Sequence, residues 1–243
     1  MPNTKHVFFD LDNTLTPSRQ PMKREHGELF ARLCEQKDVV AVSGQELKSF
    51  HSQLPAAAAG RYYVLAQVGN HAYAKDGSTL WEEKPNAEQT DLVLAFIRKL
   101  RQAYPREIRD ENDIVELRGS LIGYSLIGHH EDPVKKAALD PGSVGRKKML
   151  AAFGDDVKRL HDAGIDVTPA GTTTIEFFLA GKNKGFNIKR LLAHERWRAD
   201  ESLYIGDELE PGRNDESVIG IVPTHAVRNP DETFDFIKNN LLS

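Results

Sequence analysis

The short run His6-Val7-Phe8-Phe9 ends abruptly in Asp10, and a second carboxylate, Asp12, stands two residues on within FFDLDNTLT. An apolar run of this length, closed by turn residues, predicts a strand buried on both faces, of the kind found at the centre of a parallel sheet. Ligands of such sheets sit beyond the carboxyl ends of the strands, so Asp10 and Asp12 are expected to project into a crevice.

The surrounding pattern agrees with an α/β fold. Leu29, Phe30 and Leu33 stand at helical spacing, Val39-Val40-Ala41-Val42 reads as a second buried strand, and Ser43-Gly44 opens a turn into the helical stretch ELKSFHSQL. Residues 61–73 read as strand, with Asp76-Gly77 as a hairpin turn before Thr79-Leu80-Trp81. The middle of the chain differs. A helix is expected over 87–103, strands near 113–118 and 121–127, a looser segment at 129–145, a helix over 145–163, and strands near 165–169 and 173–179. From 184 the first pattern returns, with a helix at 185–196, a strand SLYIG and a strand GIVP. Two domains are therefore expected: a discontinuous α/β core with a parallel sheet, 1–84 and 184–243, and an inserted α+β domain with an antiparallel sheet, 85–183.

Composition removes several function classes. A formal net charge of -4 gives no general attraction to nucleic acid or anionic membrane, and no basic stripe is present. The single cysteine, Cys34, excludes an internal disulfide and a cysteine-rich zinc site, and reads as a buried small hydrophobe. No segment is apolar enough for a signal peptide or a bilayer span, so a cytoplasmic protein is expected. No Gly-x4-Gly-Lys-Ser/Thr occurs, which excludes a P-loop. An EF-hand is excluded because Leu15 stands where that loop needs glycine and Pro21 where it needs the closing glutamate.

The chemistry lies just past the carboxyl end of each expected strand. A carboxylate can attack phosphorus while a neighbouring one carries protons, and magnesium would be held by hard oxygen donors. Ser43 and Gly44 can hold a phosphate at a helix start, although taken alone they read first as an ordinary helix cap. Lys184 offers a cation, and Asp207 and Asp215 come after SLYIG in a Gly/Pro loop. Each is commonplace alone as a turn, a surface lysine or a solvated loop. Together they occupy the order that a single crevice requires.

FFDLDNTLT, Ser43, Lys184 and Asp207 resemble the four motifs of the haloacid dehalogenase superfamily, and the insert resembles its type IIB (C2) cap on a Rossmann-like core. More narrowly, FFDLDNTLTPSRQ, ELRGSLIGYSLIG, TIEFFLAGKNKG and GDELEPGRND resemble the eukaryotic-type phosphomannomutases over nearly the whole chain. The resemblance implies Asp10 as nucleophile, Asp12 as general acid/base, and Lys184 beside the phosphate. It implies Mg2+ held by Asp10, the Asp12 carbonyl and Asp207, with Asp215 either a further ligand or close behind them. Arg19 matches a core arginine near the substrate phosphate and Arg118 a cap arginine, while Thr174 and Glu176 match sugar contacts. It also implies a small phosphorylated substrate and a homodimer through the cap, for which helix 87–103 could serve unless its apolar face belongs to the cap's own core.

Two departures bear on the product. Where that family keeps a cluster of cap arginines on the remote phosphate, this chain has His129 at the second position and Lys136 at the third. Lysine lacks the bidentate fork and histidine is only partly charged near neutral pH. The departures favour a phosphatase over a phosphomannomutase, with a catalytically inactive binding scaffold as the remaining alternative. His129-His130-Glu131-Asp132 is read as a polar loop in preference to a metal site, because its ligand spacing is poor.

Overall fold

A computed structural model describes residues 4–242. The chain divides into two compact units, Met1–Glu82 with Lys182–Ser243, and Glu83–Gly181.

The first unit is built on a sheet of seven strands. In chain order these are β1 (His6–Asp10), β2 (Asp38–Val42), β3 (Tyr62–Ala66), β4 (His71–Tyr73), β5 (Thr79–Glu82), β10 (Ser202–Gly206) and β11 (Thr224–Ala226), arranged β11-β10-β1-β2-β3-β4-β5. Pairings from β11 to β3 are parallel, and β4 and β5 add an antiparallel edge. Alternation along the strands separates two apolar layers. Val7, Phe9, Val39, Ala41, Leu203 and Ile205 face one layer, with Phe30 and Leu33 of α1 (Arg24–Gln36) and Phe234 of α8 (Pro230–Phe236). Phe8, Val40, Val42, Leu65 and Tyr204 face the other, with Ile188, Leu191 and Leu192 of α7 (Lys184–Glu195). Burial on both faces is why β1 and β2 read as continuous apolar runs.

The second unit is a four-stranded antiparallel sheet ordered β6-β7-β9-β8, from β6 (Val115–Leu117), β7 (Leu121–Ser125), β8 (Ile165–Ala170) and β9 (Thr174–Leu179). One face is apolar: Ile122, Tyr124, Ile175 and Phe177 pack with Val93, Phe96, Ile97 and Leu100 of α3 (Ala87–Ala103). Met149 of α5 (Val144–Ala152) and Leu160 of α6 (Gly154–Asp162) complete that layer. An Asn86–Gln89 capping box starts α3, each side chain satisfying the other's backbone N–H.

Local chemistry moves several elements from their expected places. The helix expected over 145–163 is two helices, α5 and α6, meeting at Phe153 and Gly154. The segment expected to be loose at 129–145 contains α4 (Pro133–Leu139), whose first turn is set by Pro133 and by Asp132 accepting from the Lys135 N–H. GIVP is not a strand: Gly220 has φ 83° and Pro223 has no N–H, so pairing with β10 begins at Thr224. The strand expected over 61–73 is interrupted by three successive left-handed residues, Gln67 (φ 54°), Val68 (φ 56°) and Gly69 (φ 90°).

Candidate active site

The carboxyl ends of β1 and β10 bring the acidic residues of the first unit together around one cation. Lys184, the first residue of α7, is 1% exposed. Its Nζ donates to Asp10 Oδ1 at 2.5 Å and to Asp215 Oδ1 at 2.6 Å. Tyr204 on β10 donates its hydroxyl to the same Asp215 oxygen at 2.7 Å. Asp207 follows β10 and accepts from Thr14 Oγ1 at 3.2 Å. Gly206 supplies the room: a Cβ there would run into the Asp215 carboxylate and the Tyr204 ring. Gly185 does the same beside Lys184, where a Cβ would meet the Ser217 carbonyl.

The electrostatics are those of too many carboxylates for one ammonium. Burial opposes the charge on Lys184, but Asp10 and Asp215 outweigh it and hold the ammonium well above the usual lysine range. Burial raises the Asp10 carboxyl well above its ordinary value; Lys184 opposes this, and Asp215, Asp207 and Asp12 add to it. The Asp207 carboxyl is pushed up to about 7 by burial, then by Glu208 and Asp215. Asp215 Oδ2 is buried with no hydrogen-bond partner among the described residues. A buried orphan carboxylate oxygen among raised carboxyls is a site short of positive charge, and its donors are all hard oxygens. The residues therefore fit a divalent cation of the magnesium type.

Asp12 is held differently. Its Oδ1 accepts the Arg19 backbone N–H at 2.8 Å, and its Oδ2 accepts Gln45 Nε2 at 2.5 Å and Ser43 Oγ at 3.4 Å. Arg19 reaches this position through a left-handed backbone (φ 56°). Gln45 was not expected from the sequence. It is buried, and it ends a chain of donors: Thr16 Oγ1 to Gln53 Oε1 at 2.8 Å, Gln53 Nε2 to Gln45 Oε1 at 3.2 Å, then Gln45 to Asp12. The expected helix start at Ser43-Gly44 lies further on, because α2 spans Leu47–Gln53 with Glu46 ahead of it. Ser43 Oγ instead accepts the Gln45 N–H at 3.2 Å, with Gly44 buried between the two. The loop is clamped by the left-handed stretch after β3: the Val68 N–H donates to Ser43 O and the Gln67 N–H to Gln45 O. Asn187 of α7 holds Val68 O, and Trp81 holds Gly69 O. A β-branched residue with positive φ is strained, and here two hydrogen bonds on Val68 and one on each neighbour fix it beside the candidate site.

In the second unit, strand register gathers another group on the polar face of the sheet. Glu116, Gly123 and Glu176 are cross-strand partners in one row, with Ser125 and Thr174 paired in the row beyond. Arg118, 7% exposed, lies over Gly123, where a Cβ would meet both the guanidinium and the His129 ring. Its Nε and Nη2 donate to Glu116 at 2.8 and 2.6 Å, and its Nη1 to Glu176 at 3.4 Å. His129 is 1% exposed with Nδ1 3.6 Å from Glu116, and Lys136 Nζ donates to the His129 carbonyl at 2.7 Å. Arg118, His129 and Glu176 thus share one face, while Lys136 is engaged with backbone. His129, His130, Glu131 and Asp132 do not converge. His130 instead pairs with Asp113 at 2.6 Å, and its ring nitrogen lies with the Asp113 and Glu116 oxygens within 4.8 Å of one another.

No protein-family model matches the chain. Over 95% of its length it is 24% identical to a phosphomannomutase of Encephalitozoon cuniculi, covering 91% of that protein. It is 26% identical to the phosphomannomutase of Saccharomyces cerevisiae, with 93% of this chain and 90% of that one aligned. Among solved structures, a haloacid dehalogenase-like hydrolase from Bacteroides thetaiotaomicron superposes with a TM-score of 0.62 at 15% identity, covering 97% and 98% of the two chains. An IMP-nucleotidase of Plasmodium falciparum superposes with a TM-score of 0.67 at 14% identity, covering 98% of this chain and 68% of the other.

Proposed function

We propose that this chain, which has the haloacid dehalogenase fold and is similar to phosphomannomutases over nearly its whole length, hydrolyses a small sugar phosphate through an aspartyl phosphate on Asp10. An enzyme of phosphohydrolase or phosphomutase type fits both sets of relatives. Asp10 attacks phosphorus, the bond to the sugar oxygen breaks, and Asp12 gives its proton to the departing alkoxide. Water then attacks the acyl phosphate, Asp12 takes the proton of that water, and phosphate leaves with Asp10 regenerated. Lys184 neutralises charge beside Asp10, while Ser43, Gly44 and Arg19 hold the transferring phosphate. Asp10, the Asp12 carbonyl, Asp207 and Asp215 would hold Mg2+, which would supply electrophilic charge to the phosphoryl group.

The observation that carries hydrolysis over mutase chemistry is the state of Arg118. A mutase must keep a bisphosphorylated intermediate and turn it round, which requires a cationic grip on the phosphate remote from Asp10. Here Arg118, the one arginine kept of that phosphate-gripping cluster, is bracketed by Glu116 and Glu176, and a phosphate would have to displace both. With Thr174 beside it, this face suits the hydroxyls of a sugar better than a second phosphate.

Incubation with mannose 1-phosphate and Mg2+, with and without a hexose bisphosphate, tests the reading. Free phosphate is the expected product. Accumulation of mannose 6-phosphate without free phosphate would establish the second reading, a phosphomannomutase, which the names of the sequence relatives favour. The Asp10→Asn variant is expected to keep its far-ultraviolet circular dichroism and lose all turnover; near-wild-type activity would remove Asp10 as nucleophile. Binding of sugar phosphates without turnover in the wild type would leave a scaffold.

A further inference from the structure

We propose that a cavity in the second unit, at the C-terminal end of α3, binds a small polyanion of the oligophosphate class. The cavity has a volume of about 340 Å³ and is lined by Arg98, Arg101, Tyr104, Arg106, Ile108 and Tyr124, among others.

Its construction starts from helical spacing. Arg98 and Arg101 lie three residues apart and so share a face of α3. The helix ends at Tyr104-Pro105, and the turn brings Arg106 to the same hollow. No carboxylate lines it. Arg101 reaches Glu111 at 2.6 Å, whereas Arg98 and Arg106 form no ion pair among the described residues. Like charges at this spacing repel, so the arrangement costs stability until an anion joins it. In a chain of net charge -4, three guanidinium groups around one hollow do not follow from bulk composition.

Tyr124 is an independent second sign. It is 1% exposed and it lines the cavity. The charged groups close enough to act on that hydroxyl are Arg101, Arg106 and Glu111. A phenol that lines the cavity beside two arginines can donate to a phosphate oxygen held there. Arginine forks favour an oxyanion over a halide because they bind two oxygens at once, and three guanidinium groups offer more donors than one carboxylate can accept. The volume lies at the lower end of small-ligand sites, enough for a di- or triphosphate group. Tyr124 also separates this cavity from the polar face. Adjacent residues on β7 point to opposite sides of the sheet, so Gly123 lies under Arg118 while Tyr124 faces the helices. The ligand is therefore not the sugar phosphate read by Arg118 and Glu176.

Titration calorimetry on the full chain in EDTA, with tripolyphosphate and separately with ATP, tests the site. Wild type is expected to bind tripolyphosphate, and Arg98→Ala/Arg106→Ala to lose at least tenfold in affinity with an unchanged melting temperature. Tyr124→Phe should lose severalfold. Binding that survives intact in the double variant belongs to the catalytic phosphate site and overturns the proposal, as does no binding by wild type at millimolar ligand. ATP binding more tightly than tripolyphosphate would identify a nucleoside phosphate as the ligand, with Tyr104 beside the base; equal affinities would identify the phosphate chain alone.

Discussion

Asp12 can serve as acid and then as base only if its carboxylate stays aimed while its proton comes and goes. Gln45 fixes that aim, and Gln53 and Thr16 fix which way round the Gln45 amide stands, because every donor in the chain points toward Asp12. Gln45→Leu is expected to lower kcat by about 10- to 100-fold with little change in KM, since general acid–base catalysis contributes roughly 10²–10⁴-fold and only the aim is lost. Gln53→Leu should cost less, and the double variant no more than Gln45→Leu alone, because Gln53 acts through Gln45. Additive losses in steady-state kinetics would show two separate roles. The placing of Asp10, Asp12 and Asp207 was legible because each stands at or just past the carboxyl end of a buried strand. Gln45 was not, since its partners lie 33 and 8 residues away and a glutamine in a turn is ordinarily solvated. The bracketing of Arg118 was half legible: Glu116 is two residues away, on the same side of an extended chain.

At the scale of elements, Arg146 decides the geometry of the β8–β9 hairpin. It is fully buried, and its five N–H groups meet five acceptors: Asp140, Ser143, and the carbonyls of Ala170, Gly171 and Thr174. Asp140 in turn accepts the Gly145 and Arg146 N–H groups at the start of α5, and despite its burial the Arg146 guanidinium, then these bonds, hold its carboxyl below the usual range. Arg146→Met would leave Asp140 and three carbonyls buried without their donor, at a cost of about 3–5 kcal/mol, read as a lower urea midpoint. Arg146→Lys should recover only part of the loss, because three donors cannot serve five acceptors. Helical periodicity announced α5 and α6 but not the break between them, nor the arginine that anchors the first. Apolar spacing reports which face is buried; it is silent on a buried cation whose partners are backbone oxygens. The same limit applies to GIVP, whose apolar residues suggest a strand that Gly220 and Pro223 forbid.

For the molecule as a whole, the strongest electrostatic tension is in the acidic cluster of the first unit, and a divalent cation should relieve it in a pH-dependent way. Asp207, pushed up to about 7, binds its proton more tightly folded than unfolded. Its stabilising contribution is therefore complete below the ordinary value of 3.8 and is lost as pH rises through about 7. His6 and His26, both lowered mainly by burial, act in the opposite sense, since their folded forms bind fewer protons below the ordinary 6.5. Melting in EDTA alone would mix the two effects. Both histidines lie away from the carboxylates, stacked on Trp197 and Phe234, and so contribute equally with and without metal. The difference in melting temperature between magnesium and EDTA isolates the cluster. That difference should grow from pH 5.5 to pH 8, because the cation binds the ionised carboxylates that the bare protein tolerates least. In Asp207→Asn the pH dependence should flatten, and the stability in EDTA at pH 8 should rise above wild type, as one buried charge is gone. A magnesium increment independent of pH in the wild type would mean that Asp207 is not among the groups the cation holds.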